Sequence, residues 1–221
     1  MTLTVRRLGR IGYQEGLDLQ IALVEERRAE AISDTLLLLE HPPVITMGRS
    51  AVEADILVPL EELVHAGATV HRITRGGETT YHGPGQLVGY LIANLYDHQR
   101  KLKRFIENLE EVFIRVLAER YNVTAGRDPE HRGVWVGSEK ITAVGIAVSR
   151  GITMHGFAFN VNTNLSHFGW IIPCGITDRG QTSLQALRGA PVPMIEAEDA
   201  VIDAFAQVFG YSVSEFFDSP D

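Results

Sequence analysis

The sequence predicts an α/β chain of the α+β kind, a mixed β-sheet packed with helices. Two observations carry that prediction. Through residues 13–121, helical periodicities alternate with short apolar runs bounded by proline and glycine. From Gly133 onward, three strand-like segments follow one another with only turns between them. A doubly wound nucleotide fold would keep alternating helix with strand to its end, so this pattern excludes it. At 221 residues the chain fits one domain, 1–221, long enough to bury a proper core.

Each element has its own signal. In YQEGLDLQIALVEERRAEAI (13–32), Leu17, Ile21, Val24 and Ala31 fall near helical spacing, opposite a charged face. TLLLL (35–39) is short and solidly apolar, the mark of a strand buried on both faces, and Pro42 and Pro43 end it. VPLEELVHAG predicts a helix with Pro59 at its first turn and Gly67 as its stop. ATVHRITRGG alternates like a strand and runs into glycines, and LVGYLIANLY reads as a second apolar strand. LKRFIENLEEVFIRVLAERY repeats Leu102, Phe105/Ile106, Leu109, Phe113 and Val116/Leu117, a long amphipathic helix. GRDPEHRG (126–133) is a loop between two halves of one domain. GVWVGSEKITAVGIAVSRGITMHGFAFNVNT gives three strands with turns at GSEK and SRG. A small helix around SLQAL and a last one over AEDAVIDAFAQVFG close the chain.

Composition removes several function classes. An apolar share of 45% and a charged share of 22% suit a soluble globular protein, and no window approaches a membrane span. A net charge of −8 argues against nucleic acid, whose phosphates call for a basic face. MTLTVRRLGR lacks the apolar stretch of a secretory signal, and a lone cysteine forms no internal disulfide; both suit a cytoplasmic protein. None of the eight histidines forms an H-x-x-x-H pair or a Cys/His cluster, so no metal is expected.

Four segments carry residues capable of chemistry. RGGETTYHGPG (75–85) packs four glycines, a proline, an arginine and a histidine into eleven residues. Such glycine density lets backbone N–H groups approach a ligand, or simply makes a long turn. It lacks the G-K-[ST] ending of a nucleoside triphosphate loop. Arg75 has two open readings, a grip on a carboxylate or phosphate, or an ion pair with Glu78. Lys140 follows the GSEK turn and reads by itself as a solvated turn residue. His155, between apolar neighbours, reads as a satisfied core histidine. Cys174 is a small buried hydrophobe by default, although Pro173 and Gly175 give it an irregular, accessible backbone.

Taken together these segments resemble one family. RGGETTYHGPGQ, GVWVGSEKITAVGI, HGFAFNVNTNL and IIPCGITDRGQTSL, with EHPPVITMGR (40–49) before them, resemble the signature blocks of the octanoyltransferases of lipoate biosynthesis. The likeness runs from about residue 36 to 187 in matching order and spacing. The resemblance implies a fold shared with lipoate–protein and biotin–protein ligases. It implies transfer of an octanoyl group from octanoyl-acyl carrier protein to a lysine of lipoyl domains, those of 2-oxoacid dehydrogenase complexes and of the glycine cleavage H protein. It implies no cofactor. Carried over by motif, the acyl-thioester nucleophile falls on Cys174 and its tuning lysine on Lys140. The substrate-contacting segments fall on Arg75, Gly76, Gly77, Glu78, Thr79, Thr80, Tyr81 and His82, on Ala143, Val144 and Gly145, and on Gly156, Phe157 and Ala158. Phe159 and Gln181 are small departures from the pattern and bear only on the shape of an acyl tunnel.

The implied chemistry accounts for the residue types. A free cysteine, with a pKa near ~8.5, is only slightly ionised at neutral pH, so a thiolate nucleophile needs a charge partner or a base. A nearby lysine supplies one as ammonium or, desolvated, the other as amine. Burying an eight-carbon chain at about 0.8 kcal/mol per methylene contributes about 5–6 kcal/mol of gross binding. Glycine N–H groups are candidates for an oxyanion hole. Acyl carrier proteins and lipoyl domains of such systems are typically acidic, and Arg100, Lys101, Lys103 and Arg104 in QRKLKRF offer a basic dock or merely a solvated face. Three rival readings remain: an ATP-dependent lipoate–protein ligase, a non-catalytic acyl-binding module, and a cysteine acyltransferase or hydrolase pairing Cys174 with His155.

Overall fold

A computed structural model describes residues 1–99 and 101–217. The chain opens with strand β1 (Thr2–Arg10), helix α1 (Tyr13–Arg28), β2 (Asp34–Glu40) and β3 (Val44–Met47). There follow α2 (Leu60–His65), β4 (Thr69–Arg72), β5 (Thr79–His82), β6 (Gln86–Ile92) and the long α3 (Leu102–Tyr121). The second half holds β7 (Gly126–Arg127), β8 (Val134–Val136), β9 (Glu139–Ser149), β10 (Ile152–Asn160), β11 (Gly180–Gln181), α4 (Leu184–Arg188), α5 (Met194–Phe209) and β12 (Ser212–Phe217).

The main sheet runs β12-β1-β2-β6-β10-β9-β8-β7, with β11 added along β9. β12, β1 and β2 pair in parallel, whereas the ladders from β2 through β6, β10, β9 and β8 to β7 are antiparallel. The sheet is therefore mixed, as the sequence predicts. A second, three-stranded sheet, β4-β3-β5, stands apart from it.

Strand alternation explains the solid apolar run in β2. Leu36 and Leu38 enter a core with α3 and α5, while Leu37 and Leu39 enter a second core with α1. Both faces are covered, so no polar alternation is needed. The three-stranded sheet has its own core, in which Ile45, Met47 and Tyr81 pack with Leu63, Phe168 and Ile171. Among the described residues no helix is long and apolar enough to cross a membrane, and no group of three or more His, Cys, Asp or Glu could hold a metal.

Two expectations need correction. The buried face of α1 is Tyr13, Gly16, Gln20, Leu23, Val24 and Arg27, while Ile21 is exposed. That stripe is largely polar, because Gln20 and Arg27 make buried hydrogen bonds that hydropathy does not register. The GRDPEHRG loop begins as strand β7 on β8. MTLTVRRLGR, for which the sequence offered no element, forms β1 between the edge strand β12 and β2.

Candidate active site

A cavity of about 340 Å³ opens between the glycine-rich segment, β9, β10 and the segment carrying Cys174. That volume is on the scale of a small-ligand site. Of the residues expected there, Arg75, Gly76, Gly77, Glu78, Thr80, His82, Lys140, Ala143, Val144, Gly145, Gly156, Phe157, Ala158 and Cys174 line it. Thr79 and Tyr81 do not. The two-residue period of β5 sends Thr80 and His82 one way and Thr79 and Tyr81 the other. Thr79 Oγ1 donates to Asp55 Oδ2 at 2.8 Å, and Tyr81 Oη lies 2.7 Å from His167 Nδ1.

Cys174 sits in a 3₁₀ turn, Pro173–Gly175, with φ 55° and ψ 29°. Gly175 follows at φ +68°, and a Cβ there would strike the Glu78 carboxylate. Two left-handed residues in succession lift the cysteine out of regular structure and leave its side chain half-buried. The segment is tied down by Ile172 N–H donating to Asp55 O at 2.8 Å and by an Ile56–Ile171 bridge. Thr79, through Asp55, therefore buttresses the cysteine turn from outside the cavity.

Lys140 is the second residue of β9 and is 4% exposed, contrary to the solvated-turn reading. Gly133, at φ +118°, makes this possible: a Cβ there would meet Thr142 O and lie 3.4 Å from Lys140 Cδ. Lys140 Nζ stands 4.9 Å from the centroid of the Trp135 ring. This Nζ makes no hydrogen bond or ion pair with a described residue. A desolvated ammonium over an indole gains about 2 kcal/mol, too little to replace a full counter-charge. Lys140 and Cys174 both line the main cavity and a second, smaller one beside it, with Gln181 on the wall of the latter. Phe159 lies in the large core against Phe113 instead.

The glycine-rich segment is anchored by its carbonyls. Arg75, Gly77 and Glu78 carbonyls accept from the N–H groups of Arg49, Ser50 and Gly48. Arg75 folds back, its Nη1 donating to Gly76 O and its Nη2 to Glu78 O, both at 2.8 Å. Its partner is thus the Glu78 main chain, not the Glu78 carboxylate. The N–H groups of Gly76, Gly77 and Glu78 donate to no other described residue. Burial lowers the Arg75 pKa, and the nearby Cys174 sulfur works against that lowering. Gly145 leaves room for the arginine, since a Cβ there would lie 2.8 Å from Arg75 Cδ.

His82 and His155, both on the cavity wall, are held neutral. Burial pushes His82 down to about 3, with His41 adding to the effect, and pushes His155 down to about 4, with Arg75 adding. His155 is buried as expected but is not satisfied. It has φ 61°, its N–H is taken by Gln20 Oε1 at 2.8 Å, and its Nε2 has no partner among the described residues.

Sequence reasoning missed Tyr13, Ile73, Tyr90, Glu130, His131, Arg132, Ile146 and Ile176, which also line the cavity. Tyr13 and Tyr90 look like core aromatics in apolar elements. His131 and exposed Arg132 come from the GRDPEHRG loop, which Glu110 fixes by accepting from Gly133 N–H and Arg127. Of the expected basic dock, Lys101, Lys103 and Arg104 are exposed and none lines the cavity; Arg100 lies outside the described residues.

Residues 12–206 match the model of the lipoyl protein ligase A/B catalytic domain. The chain belongs to that family. Within this lipoyl ligase family, it is 50% identical over 215 residues to a protein named octanoyltransferase from Alkaliphilus metalliredigens, covering 97% of this chain and 99% of that one. It is 52% identical over 211 residues to one of the same name from Caldicellulosiruptor saccharolyticus, covering 95% and 90%. Among solved structures, lipoate-protein ligase A bound with ATP matches with a TM-score of 0.76 at 16% identity, covering 98% of this chain and 89% of that one. A biotin protein ligase from Aquifex aeolicus in complex with biotin and ATP matches at 0.58 and 16%, covering 95% and 71%. These distant likenesses establish the fold.

Proposed function

We propose that the chain, acting as one catalytic domain, transfers an octanoyl group from acyl carrier protein to a lysine of lipoyl domains through a thioester on Cys174. The observation that carries this reading is that Lys140, before β10 in sequence, and Cys174, after it, line the same two cavities. The family and its octanoyltransferase relatives supply the acyl group.

The reaction then runs in two balanced halves. In the resting site the Lys140 ammonium stabilises the Cys174 thiolate, the charge partner that the Trp135 ring alone does not provide. The thiolate attacks the donor thioester carbon; the new S–C bond forms as the carrier's C–S bond breaks. The departing carrier thiolate takes a proton from Lys140, which has lost its anionic partner. In the second half the acceptor lysine, as free amine, attacks the octanoyl-Cys174 carbon. A C–N bond forms, the Cys174 C–S bond breaks, and the surplus proton passes to neutral Lys140. Thiolate and ammonium are restored.

The N–H groups of Gly76, Gly77 and Glu78, which donate to no other described residue, are the donors for the oxyanion of each tetrahedral intermediate in this reading. Thioester exchange is nearly isoenergetic and the amide lies downhill, so the cycle needs no nucleotide.

Purified protein given octanoyl-acyl carrier protein and a lipoyl domain is expected to octanoylate the domain without ATP. Modification only from free octanoate plus ATP contradicts the reading and indicates a ligase.

A further inference from the structure

His82 reaches the cavity with one ring nitrogen already committed. Its Nδ1 lies 2.8 Å from Gln86 Oε1. Gln86 Nε2 donates to Tyr81 O at 3.3 Å and to Asn160 Oδ1 at 3.0 Å. Asn160 Nδ2 donates to Thr182 O at 3.0 Å, and Thr182 N–H donates to Lys140 O at 3.0 Å. Both ends of this chain are backbone carbonyls, which only accept. Thr182 O therefore requires the NH₂ of Asn160, which leaves Asn160 Oδ1 facing Gln86. Gln86 must turn its own NH₂ toward that oxygen and toward Tyr81 O. Its remaining oxygen faces His82, and a bond there needs a proton on Nδ1. Each amide orientation follows from chemistry and not from the assignment of atoms that look alike.

We propose that Gln86 and Asn160 are positioning residues that fix His82 as its Nδ1–H tautomer, so that Nε2 is a hydrogen-bond acceptor for the attacking amine in the cavity. His82 is 9% exposed, and its Nε2 bonds to no other described residue. A ring with its proton on the far side cannot donate to an oxyanion. It can orient an N–H, which aims the amine lone pair at the thioester carbon. The depressed pKa of His82 agrees, since burial denies it the imidazolium form. Gln86 and Asn160 also line the small cavity between Lys140 and Cys174, so the same chain braces the β9 main chain at Lys140.

The inference rests on the proposed transfer, and its test separates the two. Long-range ¹H–¹⁵N spectra of histidine-labelled protein, with His82 assigned from the His82→Asn variant, are expected to show the proton on Nδ1 from pH 5 to 8. Gln86→Leu is expected to lose that preference. It should slow octanoyl transfer from preformed octanoyl-enzyme to a lipoyl domain about tenfold, the worth of one hydrogen bond. A wild-type proton on Nε2 overturns the inference without any variant. So does Gln86→Leu with tautomer and transfer rate unchanged. Octanoylation of Cys174 is read in the same samples, and its absence would sink the thioester reading while leaving the tautomer standing.

Discussion

His155 is a side chain whose burial has a price at acid pH. It is 3% exposed, its Nε2 has no partner among the described residues, and burial holds its pKa at about 4. The unfolded chain binds a proton there near pH 6.5, before the folded chain does. Stability is therefore complete above about pH 6.5 and is lost as pH falls toward 4, by an amount on the order of 3 kcal/mol. His82, held at about 3, acts in the same direction. His155→Asn tolerates the positive φ and removes the titration. Denaturant unfolding at pH 7 and pH 4.5 is expected to show a smaller loss in this variant than in wild type. Equal losses in both would refute the assignment. The contrast with Lys140 is instructive for what the sequence made legible. A lysine after a turn carries no sign of burial, because the vacancy that admits it comes from Gly133, the residue just before the neighbouring strand β8. Only the family blocks single it out.

Elements position the site through contacts that hydropathy does not reveal. α1 crosses β10 and presents Gln20, fully buried, whose Nε2 donates to Gly16 O while its Oε1 takes the His155 N–H. Gln20→Leu would leave that N–H buried and unpaired, at a cost of about 1–3 kcal/mol. Equilibrium unfolding checks the loss; hydrogen exchange at His155 should quicken with it. Unchanged stability would show that the helix contributes packing alone. α3 was readable to the residue because its apolar positions recur at helical spacing over twenty residues. The polar stripe of α1 was not, and neither were β1 and β12, whose parallel partnership joins the two ends of the chain. In β5 the sequence marked a glycine-rich turn where the fold places a strand, and strand alternation then removed Thr79 and Tyr81 from the cavity.

On the scale of the molecule, the sheet divides the work. Its parallel end and α3 and α5 build the large core, while the antiparallel meander β8-β9-β10 carries Lys140, Gly145 and Gly156 to one cavity. The three-stranded sheet brings Thr80 and His82 from the other side, and Asp55 ties it to the turn of Cys174. The mixed architecture was legible because consecutive late strands exclude an alternating fold. The cavity was not, since its walls come from seven separated stretches and no spacing rule joins them. Everything in the mechanism depends on Cys174 holding the acyl group between donor and acceptor. Intact-mass measurement after incubation with octanoyl-acyl carrier protein, with no acceptor present, tests this most directly. The predicted result is one added octanoyl group that hydroxylamine removes and that Cys174→Ser fails to form. Transfer to a lipoyl domain at the wild-type rate by Cys174→Ser, with no octanoyl-enzyme detected in either protein, would contradict it.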